Sequence, residues 1–190
     1  YPASNKPMDI WAAKMNDNFK TNYALEMYCF GQYPGYYQTY LEKAGIAPVT
    51  LPEDQAILTA AKPDFIALNY YRTLVAGYLP VDEKHPFGTR KKDVDFDLYG
   101  YFRVEKNQHL IATEYGEQID PMGLRLVLNE YYRQFRLPLI ITENGLGTAD
   151  VLTEDDKIHD HYRIDYIRDH IAACYDAIQD GVELFGYCPW

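Results

Sequence analysis

The sequence predicts an α/β fold in which parallel β-strands alternate with helices, and three observations support this prediction. Three nearly uninterrupted apolar runs have the length of strands that are buried on both faces, as in a parallel sheet. Two amphipathic patterns with the helical period separate these runs, so that strands and helices alternate along the chain. Each run ends in polar or aromatic residues. The runs cover residues 65–71, 138–142 and 182–190.

The part of the chain before the first strand carries helical patterns. Apolar residues recur at nearly helical spacing after Asp9, a candidate N-cap, and Gly45 is placed to end a second helix. Pro52 is placed to open a short third helix, with Leu51 and Ile57 as its expected buried anchors. We therefore predict helices over about 9–30, 36–43 and 53–61.

A long segment without a clear period follows the first strand, over about 72–118. Loops of this length in a compact domain are commonly functional. Asp120 and Pro121 then open an amphipathic helix that ends near Arg136, and another helix runs from about 159 to 179. A chain of 190 residues can bury one hydrophobic core, so we expect a single domain over residues 1–190.

Charge, hydropathy and cysteine usage exclude several classes of protein. With 18 Lys and Arg against 28 Asp and Glu, the net charge of −10 argues against sequence-independent binding of nucleic acid, which needs cations. No apolar run approaches the roughly 18 residues of a membrane span, and no secretory signal opens the sequence. Cys29, Cys174 and Cys188 form no C-x-x-C, so we expect reduced core thiols, a cytoplasmic location and neither a disulfide nor a metal site.

Tyrosine is unusually abundant, with 19 residues in a chain whose aromatic content is 15%. Its side chain combines a flat apolar face with a hydroxyl group, which suits ligands that are polar but have apolar faces, such as sugars. For any single tyrosine, a place at the wet margin of the core is the more ordinary interpretation. The abundance therefore points to a sugar ligand only together with other features.

The ends of the three predicted strands carry the candidate functional groups. In parallel α/β proteins the working residues lie at the carboxyl ends of strands, which here are residues 69–71, 142–145 and 189–190. Glu143 is the most informative, because a carboxylate that ends an apolar run costs free energy unless it is hydrogen-bonded or used. A lone Glu at a strand end is more often a helix cap or an ion-pair partner. The flanking Asn and Gly and the aromatic ends of the other strands favour a functional role.

Several ordered motifs resemble those of glycoside hydrolase family 1, the β-glucosidase and 6-phospho-β-glucosidase family. The segment I-I-T-E-N-G matches the family's I/V-T/V-E-N-G motif, and the resemblance extends over nearly the whole chain. It implies a (β/α)8 TIM barrel, of which these residues would form only the C-terminal part, from after strand five through strand eight. The matching segments are residues 1–3, 31–34, 64–71, 119–125, 140–145, 162–167 with His170, and 186–190.

The resemblance also implies an activity and a set of site residues. It implies a retaining β-glycosidase that needs no cofactor and acts on β-glucosides or 6-phospho-β-glucosides, the latter being the closer match. Glu143 matches the nucleophile, and Tyr71 matches the tyrosine that hydrogen-bonds it. Asn69 matches a polar residue that lines the same pocket, and Trp190 matches the aromatic platform under the sugar. No metal, nucleic acid or membrane partner is expected.

The sequence departs from the family pattern in several places. It contains no Asn-Glu-Pro, the segment that carries the family's acid/base, and the family's phosphate-binding residues lie beyond Trp190. We therefore expect a fragment that is inactive alone. Residues 114–117 read E-Y-G-E where the phospho-branch commonly has E-W-G-W, so we expect altered contacts to the leaving group of the substrate. Ala67 stands where the family usually has Gly. Glu105 and Glu114 are expected to be exposed rather than to line a cleft.

Other features are weaker candidates. The pairs His159 with His161 and Asp156 with Asp160 allow a metal site, but a solvated helix start is the favoured interpretation. The basic run 90–92 has a composition that suits phosphate, although the acidic residues after it favour a solvated turn. A different class of function also stays open. In that hypothesis the chain is a non-catalytic half-barrel that binds sugar or self-associates through its exposed sheet edges.

Overall fold

The computed structural model describes residues 1–91 and 97–190. These residues form two compact units, one of residues 1–63 and 74–106 and the other of residues 64–73 and 107–190. The single domain expected from chain length stays a prediction. In chain order, the described elements are α1 (Pro7–Asp17), α2 (Tyr23–Phe30), α3 (Gly35–Ala44), α4 (Asp54–Ala60), β1 (Ile66–Asn69), β2 (Val75–Gly77), β3 (Arg103–Glu105), α5 (Pro121–Phe135), β4 (Leu139–Asn144), α6 (His161–Gln179) and β5 (Leu184–Pro189).

The first unit contains α1 to α4 and the short strands β2 and β3. The single helix predicted over 9–30 is interrupted, because residues Asn18–Asn22 form a π-helical turn between α1 and α2. The Asn22 side chain is buried there, and its amide donates hydrogen bonds to Asp17 at 3.2 Å and Asn18 at 3.3 Å. A widened turn of this kind leaves the apolar spacing nearly helical, which is why periodicity alone did not reveal it.

The core of the first unit is rich in aromatic residues. Phe19 packs edge-on against Tyr101, with ring centroids 4.8 Å apart, and Trp11 stacks on the same tyrosine at 5.7 Å. Several tyrosines of this unit therefore have the ordinary packing role. The prediction that Leu51 and Ile57 are buried anchors is wrong. Their exposed fractions are 55% and 62%, and the short helix α4 has no buried residue.

The long segment predicted to lack regular structure contains a small antiparallel ladder. Strand β2 pairs with β3, and Val75 is opposite Glu105. Each strand has only three residues, which is too short for an alternating pattern to stand out in the sequence. The acidic residues Asp93 and Asp95 and the basic residue Lys92 of the candidate phosphate turn lie outside the described residues.

The second unit contains the parallel sheet that the sequence predicted. The strand order is β1-β4-β5, both pairings are parallel, and α5 and α6 connect these strands along the chain. Asp120 caps α5 by accepting a hydrogen bond from the Gly123 amide at 2.9 Å, which explains the clear start of that helix. The core beneath the sheet contains fully buried residues, namely Leu124, Leu128, Leu139 and Ile141.

The three cysteines are free, as expected, but they do not all lie in the core. Cys174 on α6 is buried, Cys29 is half-buried, and Cys188 is exposed. The core prediction is therefore wrong for Cys188 in this chain, because β5 is an edge strand of the three-stranded sheet and no described element covers this side chain. Across the described ranges, no helix combines the length and the apolar character that a membrane crossing requires.

Candidate active site

The carboxyl ends of the three parallel strands meet at one edge of the second unit. The Tyr70 amide donates to the Glu143 carbonyl oxygen at 2.9 Å, and the Trp190 amide donates to the Asn144 carbonyl oxygen at 2.8 Å. Hydrogen bonding between the main chains therefore continues past the regular strands into the residues that follow them. As a result, side chains that are far apart in the sequence are held beside one another.

Glu143 and Tyr71 form the central pair at this edge. The Tyr71 hydroxyl donates a hydrogen bond of 2.8 Å to Oε2 of Glu143, across 72 positions in the sequence. Burial and, next, the hydrogen bond to Glu143 together raise the pKa of Tyr71 to about 12. Tyr71 therefore keeps its proton near neutral pH and can donate a hydrogen bond to the Glu143 side chain.

Asn144 links the elements that surround Glu143. Its side chain is fully buried, and its amide donates to the Tyr70 carbonyl oxygen at 2.7 Å and to the Tyr166 hydroxyl at 3.0 Å. Its side-chain oxygen accepts a hydrogen bond from the Tyr187 hydroxyl at 2.7 Å. Asn144 therefore connects β1, α6 and β5 to the end of β4, and this network restrains the backbone on which Glu143 lies.

Asn69 lies opposite Glu143 in the register of β1 and β4. Its side chain is exposed, and its oxygen accepts a hydrogen bond from the Thr142 hydroxyl at 2.7 Å. Asn69 is therefore next to Glu143 across the ladder, although it does not line the cavity that opens beside Tyr71. Its assignment as a sugar-binding residue stays a prediction.

A cavity of about 440 Å³ opens beside the Glu143–Tyr71 pair. Trp190 is among the residues that line it, and this residue is 77% exposed. The sequence motifs indicate roles for Tyr71 and Trp190 but none for Glu117 or Arg163. Glu117 stands out in the sequence only because it departs from the family pattern. The lining residues are Tyr71, Glu117, Gly145, Leu146, Gly147, Arg163 and Trp190.

Arg163 lines this cavity with its charge already paired. Its guanidinium donates to Asp160 at 2.6 Å and to Asp150 at 3.0 Å, and these two carboxylates raise the pKa of Arg163. Glu114 is exposed, as expected, and accepts hydrogen bonds from the Thr148 hydroxyl at 2.8 Å and from the Ala149 amide. These contacts tie the loop after β4 to its neighbours.

The weaker candidates do not form a metal site in the described parts of the chain. No group of three or more His, Cys, Asp or Glu is placed there to hold a metal ion. The rings of His159 and His161 stack with centroids 6.5 Å apart at the start of α6. Within the first unit, Glu105 is half-buried and forms an ion pair with Arg103 at 2.7 Å.

Comparison with known proteins identifies the family. The family model described as Glycosyl hydrolase family 1 matches residues 1–190. The chain belongs to this family. Among family 1 relatives, it is 40% identical to aryl-phospho-beta-D-glucosidase BglC of Bacillus subtilis (strain 168) and 38% identical to phospho-cellobiase of Klebsiella oxytoca. Each match covers all of this chain but only 41% and 38% of the relative.

Solved family 1 structures show the same fold. The family 1 β-glucosidase of Thermotoga maritima in complex with isofagomine lactam superposes with a TM-score of 0.81 at 30% identity. The match covers 100% of this chain and 39% of that structure. The α/β fold is therefore part of a (β/α)8 barrel, as the resemblance implied.

Proposed function

We propose that the chain carries the nucleophile of a retaining β-glycosidase, and that Glu143 is this nucleophile. The observation that supports the proposal best is the 2.8 Å hydrogen bond from Tyr71 to Glu143 at the strand ends, beside a cavity with an exposed indole. A donor on one carboxylate oxygen fixes the orientation of the carboxylate and leaves its other oxygen available. A carboxylate held in this way suits attack on an anomeric carbon.

The proposed reaction proceeds in two steps. The Glu143 carboxylate attacks the anomeric carbon and forms a glycosyl-enzyme ester, while a partner carboxylic acid protonates the leaving oxygen. Water then attacks the ester with help from the same partner, now acting as a base. In retaining enzymes the two carboxyl groups are about 5–5.5 Å apart. We assign the partner to an Asn-Glu-Pro segment, which these 190 residues do not contain.

The substrate is proposed to be a β-glucoside or 6-phospho-β-glucoside. Relatives named for phospho-β-glucosides support the phosphorylated form, whereas the structural neighbour from Thermotoga maritima is named a β-glucosidase. Trp190 would stack under the sugar, and Asn69 would hydrogen-bond it from the neighbouring strand. A cytoplasmic location, inferred from unpaired cysteines, stays part of this proposal.

Covalent trapping tests the assignment of the nucleophile. The protein expressed from its complete reading frame is incubated with an activated 2-deoxy-2-fluoro-β-glucoside and with its 6-phosphate, and the labelled peptide is sequenced by mass spectrometry. We expect a single label on Glu143 and none in Glu143→Gln. Glu154→Gln, at an exposed loop position, is the matched control and should label normally. A label on any other residue of the wild-type protein contradicts the assignment.

The chain of 190 residues by itself is proposed to be inactive. Because one of the two carboxyl groups is assigned to a segment that it does not contain, we expect no turnover of a chromogenic β-glucoside or of its 6-phosphate. The complete reading frame, assayed in parallel, provides the positive control. Efficient turnover by the 190-residue chain would show that its own residues supply the acid.

A further inference from the structure

A second carboxylate, Glu117, faces the cavity beside the proposed nucleophile. Its backbone is held in a turn, because the Thr113 amide donates to the Glu117 carbonyl oxygen at 2.8 Å and the Glu117 amide donates to the Thr113 hydroxyl at 3.2 Å. Oε2 of Glu117 lies 3.9 Å from the position that a Cβ atom on Gly147 would occupy. The turn therefore presents the Glu117 carboxylate to the lining of the cavity.

Among the described residues, no side chain or backbone group is a partner of the Glu117 carboxylate. In the part of the chain that the structure describes, it accepts no hydrogen bond and forms no ion pair, although the side chain is half-buried. The cation that lines the same cavity, Arg163, is already bound to Asp150 and Asp160. The charge of Glu117 is therefore left for a ligand, and it also helps to raise the pKa of Tyr71.

The aromatic residue of the cavity favours the same kind of ligand. Trp190 lines the cavity as an exposed residue, and the face of an indole attracts cations more strongly than the other aromatic rings do. A carboxylate and an open indole in one cavity both attract an ammonium group. Both also disfavour an anion, since the carboxylate repels it and the π-face has negative charge density.

We propose that Glu117 makes this cavity a subsite for a cationic group of the glycoside, and that it selects against an anionic group in the same place. The inference rests on the proposed glycosidase function. The ammonium group could belong to the leaving group or to the sugar, and Glu117 would interact with both in the same way. A separate probe is therefore needed for each position of the amino group. In a half-exposed cavity at moderate salt, we expect a preference of about tenfold for each charge.

Binding of non-hydrolysable thioglycosides tests the inference without turnover. The probes are aryl 1-thio-β-D-glucosides whose ring bears an aminomethyl, a methyl or a carboxylate group, and the methyl compound with a 2-amino-2-deoxy sugar. Calorimetry on the protein from its complete reading frame should show that one aminated probe binds about tenfold tighter than the neutral one. The carboxylate probe should bind more weakly than the neutral one. The identity of the favoured aminated probe reveals which part of the glycoside carries the cation.

Glu117→Gln should reduce both preferences, each measured against the neutral probe on the same variant, to within about twofold. The Glu117 side chain has no partner in the described residues, so this variant should unfold at the wild-type temperature. Glu154→Gln is the control and should retain the preferences, which should also weaken at high salt. Preferences that persist in Glu117→Gln overturn the inference, as do equal affinities or no affinity for all probes. If Glu143 is labelled covalently but the probes show no charge preference, only this inference is contradicted. If the probes show the preference but Glu143 is not labelled, only the proposed function is contradicted.

Discussion

At the scale of single residues, the proposed chemistry depends on how Glu143 is held. One oxygen of its carboxylate accepts a hydrogen bond from Tyr71, a residue whose raised pKa keeps it protonated. The adjacent Asn144 is fully buried and bonded to three elements. Side chains with so many partners have few alternative positions, and small displacements of a nucleophile slow its reaction strongly.

Replacement of Tyr71 by Phe should slow covalent labelling of Glu143. The change removes a hydrogen bond to a charged group, which contributes about 1.5–3 kcal/mol, so we expect a rate lower by about 10- to 100-fold. The measurement is the rate of inactivation by the 2-deoxy-2-fluoro-glycoside. Tyr175→Phe, at a position that is 61% exposed, is the control and should react at the wild-type rate. An unchanged rate in Tyr71→Phe would rule out a role of this hydrogen bond in the reaction.

At the scale of elements, the site exists because β4 and β5 approach closely at their carboxyl ends. The Trp190 amide bonds to Asn144, and Gly145 passes directly beside the main chain of Trp190. A Cβ atom at position 145 would fall on the Trp190 carbonyl oxygen. The E-N-G motif therefore requires glycine at position 145 because there is no space for a side chain, and not because of its backbone angles.

Gly145→Ala should separate the ends of β4 and β5. The added methyl group cannot fit without moving the Trp190 backbone, and overpacking of this kind costs about 1–3 kcal/mol. We expect a lower urea midpoint and a changed tryptophan emission from Trp190. Gly35→Ala is the matched control, because a Cβ atom there meets nothing within 4 Å and the position lies in α3. If both variants unfold at the same urea concentration, the proposed contact has no energetic role.

At the scale of the whole molecule, stability should depend on pH through a buried histidine. His170 on α6 is fully buried, its Nδ1 lies 2.7 Å from the Tyr166 carbonyl oxygen, and its Nε2 has no hydrogen-bond partner in the described structure. Burial lowers the pKa of His170 from its ordinary value of 6.5. The unfolded chain therefore binds a proton at mildly acidic pH that the folded protein does not bind.

Acidification should therefore destabilise the fold. The stability contributed by neutral His170 is fully present above its ordinary value of 6.5 and is lost as pH falls from there toward its lowered folded pKa. We expect the free energy of unfolding in urea to fall by about 1 kcal/mol between about pH 7 and about pH 5.5. His170→Phe should reduce this dependence, whereas His159→Gln, at an exposed position, should retain it. An equally steep pH dependence in His170→Phe would assign the effect to other groups.

Self-association belongs to the same scale. In the described three-stranded sheet, β1 and β5 lie at the edges, and unpaired edges offer hydrogen-bonding groups to another chain. Self-association stays a prediction, which sedimentation velocity of the 190-residue chain would check.

The sequence alone was sufficient for features that depend on near neighbours. The parallel strands, α5 and α6 follow from local periodicity and from caps such as Asp120, because these patterns extend over only a few turns. The family motif also singled out Glu143 and Tyr71. The interruption between α1 and α2 was missed because a π-helical turn barely changes the apolar spacing.

Only the tertiary structure decided which distant residues meet. It places Glu117 and Arg163 in one cavity with Tyr71 and shows that Arg163 forms ion pairs with Asp150 and Asp160. No local pattern carries this information, because these residues are separated by dozens of positions and are brought together by the packing of strands and helices. The exposure of Cys188 is also known only from the tertiary structure, because the apolar sequence around it does not indicate whether this side chain is covered.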